Sequence, residues 1–233
     1  MERRAPLANP VLRAFCAPFV IFLLFFPVID LLRKLGSSHW WLADPQYWVF
    51  PLQTVVCAVL IWRGWRHYRL KWSKSGGDWA WTILIAVLVL AIWISPQQWL
   101  GFAPRLEGFD PTVFEPGSAA YRGSLLMRFL RLVVIVPILE EVFWRGFLLR
   151  YLIDEDFEKV PFGSFSWLSF VAVSVAFALV HQPADWVAAL LTGALYNAIA
   201  IRTKSLSLCI VAHAITNLLL GFYIMKTGQW GFW

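Results

Sequence analysis

The chain has 233 residues, 60% of them hydrophobic and only 15% charged, with a net charge of +6. Water-soluble domains are nearer half apolar and a quarter charged, so the composition excludes one and implies a single polytopic membrane domain. The positive charge does not imply nucleic acid: the basic residues cluster in short loops beside apolar runs, where anionic lipid headgroups are the natural counter-charge.

Apolar runs near the roughly twenty-residue length of a membrane-crossing helix predict spans at 11–32, 47–63, 79–96, 125–151, 164–181, 185–201 and 205–225. The expected fold is all-α, a polytopic transmembrane bundle of about seven spans, with six to eight allowed. Arg3, Arg4 and Arg13 precede the first run, and no small-residue cleavage site follows it, so it reads as a retained helix rather than a signal peptide. Asp30, near its end, is close enough to Arg33 to pair. In the second span, Gln53 and Thr54 read as helix–helix hydrogen bonds. Arg63, Arg66, Arg69, Lys71 and Lys74 crowd the following loop, which places that loop and the N-terminus on the cytoplasmic side of the membrane. Segment 97–124 is rich in Pro and Gly and reads as a loop. It divides one integrated membrane domain into N-terminal spans, 1–124, and a helical core, 125–233. Most of the 15 Trp flank the apolar runs, as interface-anchoring rings do. Cys16, Cys57 and Cys209 lie inside apolar runs and read as packing residues without a disulfide framework.

Ionisable groups at membrane depth are costly, usually face the bundle interior, and are functional candidates by default. The stretch "ILEEVFWRGFLLR" (138–150) carries three. On a helix, Glu141 and Arg145 share a face and can pair. Glu140 points about 100° away, without a partner on its own helix, and is the better catalytic candidate. His181 ends the run "VSVAFALVH". Gly193 and Asn197 share a face of the next span, Gly193 for close packing and Asn197 behind the site. His213 and Asn217 lie four apart in "CIVAHAITNLLLGF", on one face, where both need hydrogen-bond partners.

A buried carboxylate can act as general base, with a histidine sharing the activation of water. A second histidine and an amide can donate to a developing oxyanion. Such a set hydrolyses an amide with no covalent intermediate and no cofactor. Two other readings fit the same residues. Glu140, His181 and His213 offer a zinc ligand set for a metal-dependent hydrolase. Alternatively, all the polar groups are interhelical glue in a non-enzymatic immunity or scaffold protein. A Cys209–His213 thiol site is a poor option, because a thiol buried in an apolar span is inert. No Gly-x-Ser-x-Gly or His-Glu-x-x-His occurs.

"EEVFWR" (140–145), "FALVH" (177–181) and "HAITN" (213–217) match, in order, Glu-Glu-x-x-x-Arg, Phe-x-x-x-His and His-x-x-x-Asn. In these three motifs the chain resembles the CPBP family, which contains the Rce1-type CAAX prenyl proteases and bacteriocin-processing or immunity proteins. The resemblance covers roughly residues 125–225. It implies a glutamic intramembrane protease without a catalytic metal, in which Glu140 is the general base and His181 helps to activate water. It further implies that His213 and Asn217 form the oxyanion site, with Glu141 and Arg145 supporting. The partners implied are the lipid bilayer and a membrane-associated or lipid-anchored protein or peptide. A second, shorter resemblance, in "YWVFPLQT" (47–54), is to CAAX-protease-related proteins of bacteria with exosortase systems. Straight spans would leave Glu140 near mid-span, His213 in the cytoplasmic half and His181 at the opposite end of the fifth span. The motifs meet only if the fifth helix runs deeper, through "HQPAD", or if neighbouring helices are short or tilted.

Overall fold

The computed structural model describes residues 9–36, 39–103, 105 and 108–233; Arg3 and Arg4, used above for orientation, lie outside the described residues. Among the described residues every regular element is helical, and the fold is an all-α bundle. Helix α1 (Pro10–Lys34) begins where Asn9 Oδ1 accepts from the amides of Val11 and Leu12, and where Pro10 forfeits no bonded donor. A short α2 (Trp40–Ala43) leads to α3 (Gln46–Gly64), which lies against α1 and is followed by α4 (Gly76–Gln98).

The fourth predicted span is one helical path that changes register twice. It runs as α5 (Ala119–Phe129), a π segment (Leu130–Ile135), α6 (Val136–Glu141), a second π segment (Val142–Leu148) and α7 (Leu149–Tyr151). Pro137 has no amide to bond the carbonyl four residues earlier. The first π segment ends just before it. Both π segments flank Glu140 and Glu141, and π segments recur at functional sites.

The last three helices are α8 (Trp167–Leu179), α9 (Trp186–Thr203) and α10 (Leu206–Thr227). Ser166 caps α8 by accepting from the Ser169 amide at 3.1 Å. The helix stops early because Pro183 forces Gln182 into extended backbone, with ψ of 147°. Helices α8 and α9 pack closely: a Cβ on Gly193 would lie 3.0 Å from Ser174 Cα, so only glycine fits there without movement.

Five helical stretches are long and apolar enough to cross a membrane: Pro10–Lys34, Gln46–His67, Gly76–Gln98, Pro183–Thr203 and Leu206–Thr227. The other two predicted spans take different forms. Span 125–151 is the register-shifted helix, which begins earlier, at Ala119. Span 164–181 contains only the 13-residue α8, about 20 Å long against a hydrocarbon core of about 30 Å. The protein is integral to the membrane, and Trp40, Trp62 and Trp99 are exposed close to helix ends, as anchors are.

Two local expectations fail. Asp30 and Arg33 do not pair; Arg33 Nη2 instead donates to Gln46 Oε1 at 2.9 Å, because the α2 turn brings the start of α3 beside it. Thr54 bonds its own helix, donating to the Phe50 carbonyl, the usual outlet for a hydroxyl in a helix. Gln53 does bridge helices, donating to the Phe22 carbonyl at 2.7 Å.

Successive long helices run in opposite directions, which sorts the loops to two ends. At one end lie 65–75, 152–166 and the turn at Lys204; Ser205 donates to the Lys71 carbonyl and Lys204 reaches the Gly163 carbonyl. At the other lie 35–45, 99–118, the turn after α8 and the C-terminus; Tyr47 donates to the Asp110 carbonyl, and Arg105 pairs with Asp185.

Candidate active site

Glu140 and Glu141 sit on α6 between the π segments, and their side chains take different surroundings. Glu141 is fully buried, with Oε1 accepting from Arg145 Nη1 at 3.1 Å. Arg145, also fully buried, spends its remaining donors on α9: Nε on Asn197 Oδ1 and Nη2 on the Gly193 carbonyl, both at 3.0 Å. Its guanidinium stacks near Phe177 and Tyr196. Asn197 completes the chain by donating to Ser174 Oγ and the Phe170 carbonyl of α8. One polar network thus ties the register-shifted helix to α8 and α9.

Glu140 makes no such bond. Its Oε2 is buried without a protein hydrogen-bond partner, and the side chain lines a cavity of about 1000 Å³. His181, His213 and Asn217 line the same cavity. The structure therefore brings together all four residues singled out from sequence. The depth conflict dissolves because α8 is short: His181 lies in the turn after it, and its Nδ1 is 2.7 Å from the Phe177 carbonyl. The fifth helix does not run on through "HQPAD".

The hydrogen bonds fix the histidine tautomers. A carbonyl oxygen only accepts, so Nδ1 of His181 carries a proton and Nε2 is the ring's free nitrogen. His213 Nδ1 lies 2.9 Å from Glu141 Oε1, the oxygen that also accepts from Arg145, so Nδ1 is the ring's donor there. The Tyr196 ring packs tilted against the His213 ring, 5.4 Å away, and its hydroxyl donates to Thr216. Asn217 Nδ2 donates to the Leu132 carbonyl, inside the first π segment, at 2.7 Å. That bond takes one amide hydrogen and leaves the second.

Among the described residues, no three His, Cys, Asp or Glu side chains converge as a metal-binding set. Cys209 is fully buried and donates to the Ser205 carbonyl of its own helix rather than facing His213.

The sequence reading missed two members of the cavity wall. Arg128 and Arg131 are 5% and 4% exposed and line the cavity with Glu140. The signal was present: two arginines three apart inside a predicted span, with no acid within a helical turn.

Fold and site together define an integral membrane protein that encloses a carboxylate, two histidines and an amide between its helices. Residues 122–219 match the family model for type II CAAX prenyl endopeptidases, Rce1-like, a segment that holds all three motifs. The likeness covers 98 of the 233 residues. Searches of curated proteins and of solved structures gave no match.

Proposed function

We propose that the protein is a glutamic intramembrane endopeptidase that cuts a membrane-associated or lipid-anchored protein. The observation that carries this reading is the Glu140 carboxylate, buried, unpartnered and facing a cavity it shares with two histidines and an amide. A water between Glu140 and His181 Nε2 loses a proton to Glu140, and the resulting hydroxide attacks the peptide carbonyl carbon. The second amide hydrogen of Asn217 donates to the tetrahedral oxyanion, and His213 does so when its Nε2 is protonated. Glu140 then returns its proton to the leaving nitrogen as the C–N bond breaks. The products are a carboxylic acid and an amine, with one water consumed and no covalent enzyme intermediate. Glu141 and Arg145 act by position: Arg145 anchors Glu141, and Glu141 holds the His213 ring.

The catalytic unit in this reading is the segment from 125 onward, with the N-terminal spans walling one side of its cavity. The basic end of the bundle faces the cytoplasm, as does the N-terminus, in a bacterial inner membrane. The cavity is walled by residues from the opposite end, including Gln46, Arg105 and Trp233, so it opens to the non-cytoplasmic side. Among the described residues a metal-dependent hydrolase has no converged donor set to favour it. A scaffold reading draws on the Glu141–Arg145–Asn197 network, and would require His213→Ala and Asn217→Ala to lose folding rather than turnover. The decisive experiment compares membrane-protein termini in cells carrying the unsubstituted chain or Glu140→Gln. New termini that vanish with Glu140→Gln support the peptidase, whereas peptide cleavage by purified Glu140→Gln at the unsubstituted rate overturns it.

A further inference from the structure

Arg128 and Arg131 share one face of the helix that carries Glu140, and both are buried. Neither forms an ion pair among the described residues. Arg128 Nε and Nη1 have no acceptor among the described residues. Arg131 gives Nε to Gln53 Oε1 at 2.8 Å, and its two terminal nitrogens find no acceptor among the described residues. What surrounds the two groups is aromatic: Phe50 lies 4.2 Å from the Arg131 guanidinium, and Phe109 lies 4.9 Å from that of Arg128. Ring faces attract a cation but offset only part of the lost hydration. Two like charges a turn apart also repel.

Among the described acids of the cavity, Glu140 attracts Arg131 through space but makes no hydrogen bond or ion pair with it, Asp185 is held by Arg105, Asp44 accepts from Gln46, and Asp30 stays exposed. A buried arginine pair with open donors, set in an apolar wall, is complementary to a planar anion that accepts from both forks.

We propose that Arg128 and Arg131 form a substrate subsite that binds a carboxylate of the peptide being cut. The proposal rests on the peptidase reading of Glu140. Along the helix axis Arg131 precedes Glu140 by at most roughly 13 Å and Arg128 does so by at most roughly 18 Å, since the π segment between them rises less than the α-helical value of about 1.5 Å per residue. An extended peptide advances about 3.3 Å per residue. The carboxylate therefore sits within about five residues of the scissile bond. It comes either from a chain terminus or from an acidic side chain at that distance. The subsite would set both affinity and the register of cleavage.

The test uses the full chain carrying Glu140→Gln, in lipid nanodiscs, so that bound peptide is not consumed. A short, apolar, fluorescent peptide is made in three forms: with a free C-terminus and no acid, amidated with one glutamate, and amidated with no acid. One of the two acidic forms should bind at least about tenfold tighter than the neutral form, since hydrogen bonds to charged groups are the stronger kind. Which acidic form wins identifies the source of the carboxylate. Adding Arg128→Gln and Arg131→Gln should bring that ratio near one. Arg128→Lys, which keeps charge but loses the fork, should lower it severalfold and controls for misfolding. Equal binding of the three forms, no binding of any, or a ratio that survives loss of both arginines overturns the subsite. Cleavage of the same peptides by the unsubstituted chain separates the two proposals. Preferential binding without cleavage sinks the peptidase and leaves the subsite, and cleavage without preference does the reverse.

Discussion

Arg145 and Arg128 lie on the same helical path, both buried, yet the two ends of that path treat charge in opposite ways. From 136 onward both arginines meet oxygens: Arg145 reaches Glu141, Asn197 and Gly193, and Arg150 reaches the carbonyls of Gly146, Glu158 and Val160. Before 136, among the described residues, Arg128 meets ring faces alone and Arg131 a single amide oxygen. The first arrangement holds helices together. The second weakens the fold, because a buried charge without hydrogen bonds is a net cost. Satisfied charge marks architecture and unsatisfied charge marks a place kept open for something else.

Four substitutions probe that contrast, from the largest effect down. Arg145→Met strands Glu141 in the interior and should cost about 3–5 kcal/mol, read as thermal unfolding in detergent; an unchanged midpoint would remove the network from the architecture. Glu140→Gln should lower peptide cleavage by about 10²–10⁴ while leaving that midpoint in place. A parallel fall in both would move Glu140 to the structural side of the comparison. Gly193→Ala pushes a methyl against the α8 backbone and should cost about 1–3 kcal/mol. A loss well under this, measured in the same melts, would show that α8 can slide away. Arg128→Met should alter stability by less than about 1 kcal/mol, and in the stabilising direction, because an unanswered charge is replaced by an apolar chain of similar length. Destabilisation like that of Arg145→Met would erase the distinction between the two ends.

Much of this was legible in the sequence because helical spacing is so regular. The four-residue step from Glu141 to Arg145 predicts an ion pair, and the 3.1 Å contact is there. The same arithmetic left Glu140 facing elsewhere, and its carboxylate is the one without a partner. Gly193 predicts a close approach, met at Ser174. Features set by tertiary contact or register were not legible. His213 looked free to serve an oxyanion, but one nitrogen is engaged by Glu141, a residue 72 positions away. The π segments leave no mark on composition, and only Pro137 hints at one. The run 164–181 read as a full span, yet the helix ends at Leu179 because Pro183 acts from two residues beyond that run. Arg128 and Arg131 were visible in the sequence but drew no reading, since their lack of partners is a property of the packed structure.

The brevity of α8 bears on where in a cell the protein would settle. Its thirteen residues cover about two thirds of a bilayer's hydrocarbon, so lipid beside this helix must thin or its polar ends must sink. Such mismatch costs a fraction of a kcal/mol per ångström, enough to bias a protein towards thin or deformable patches of membrane. A chain built this way recruits the thickness of its surroundings as part of its fit. The exposed Trp167 at the start of α8 and Trp186 just beyond its end bracket the compressed zone.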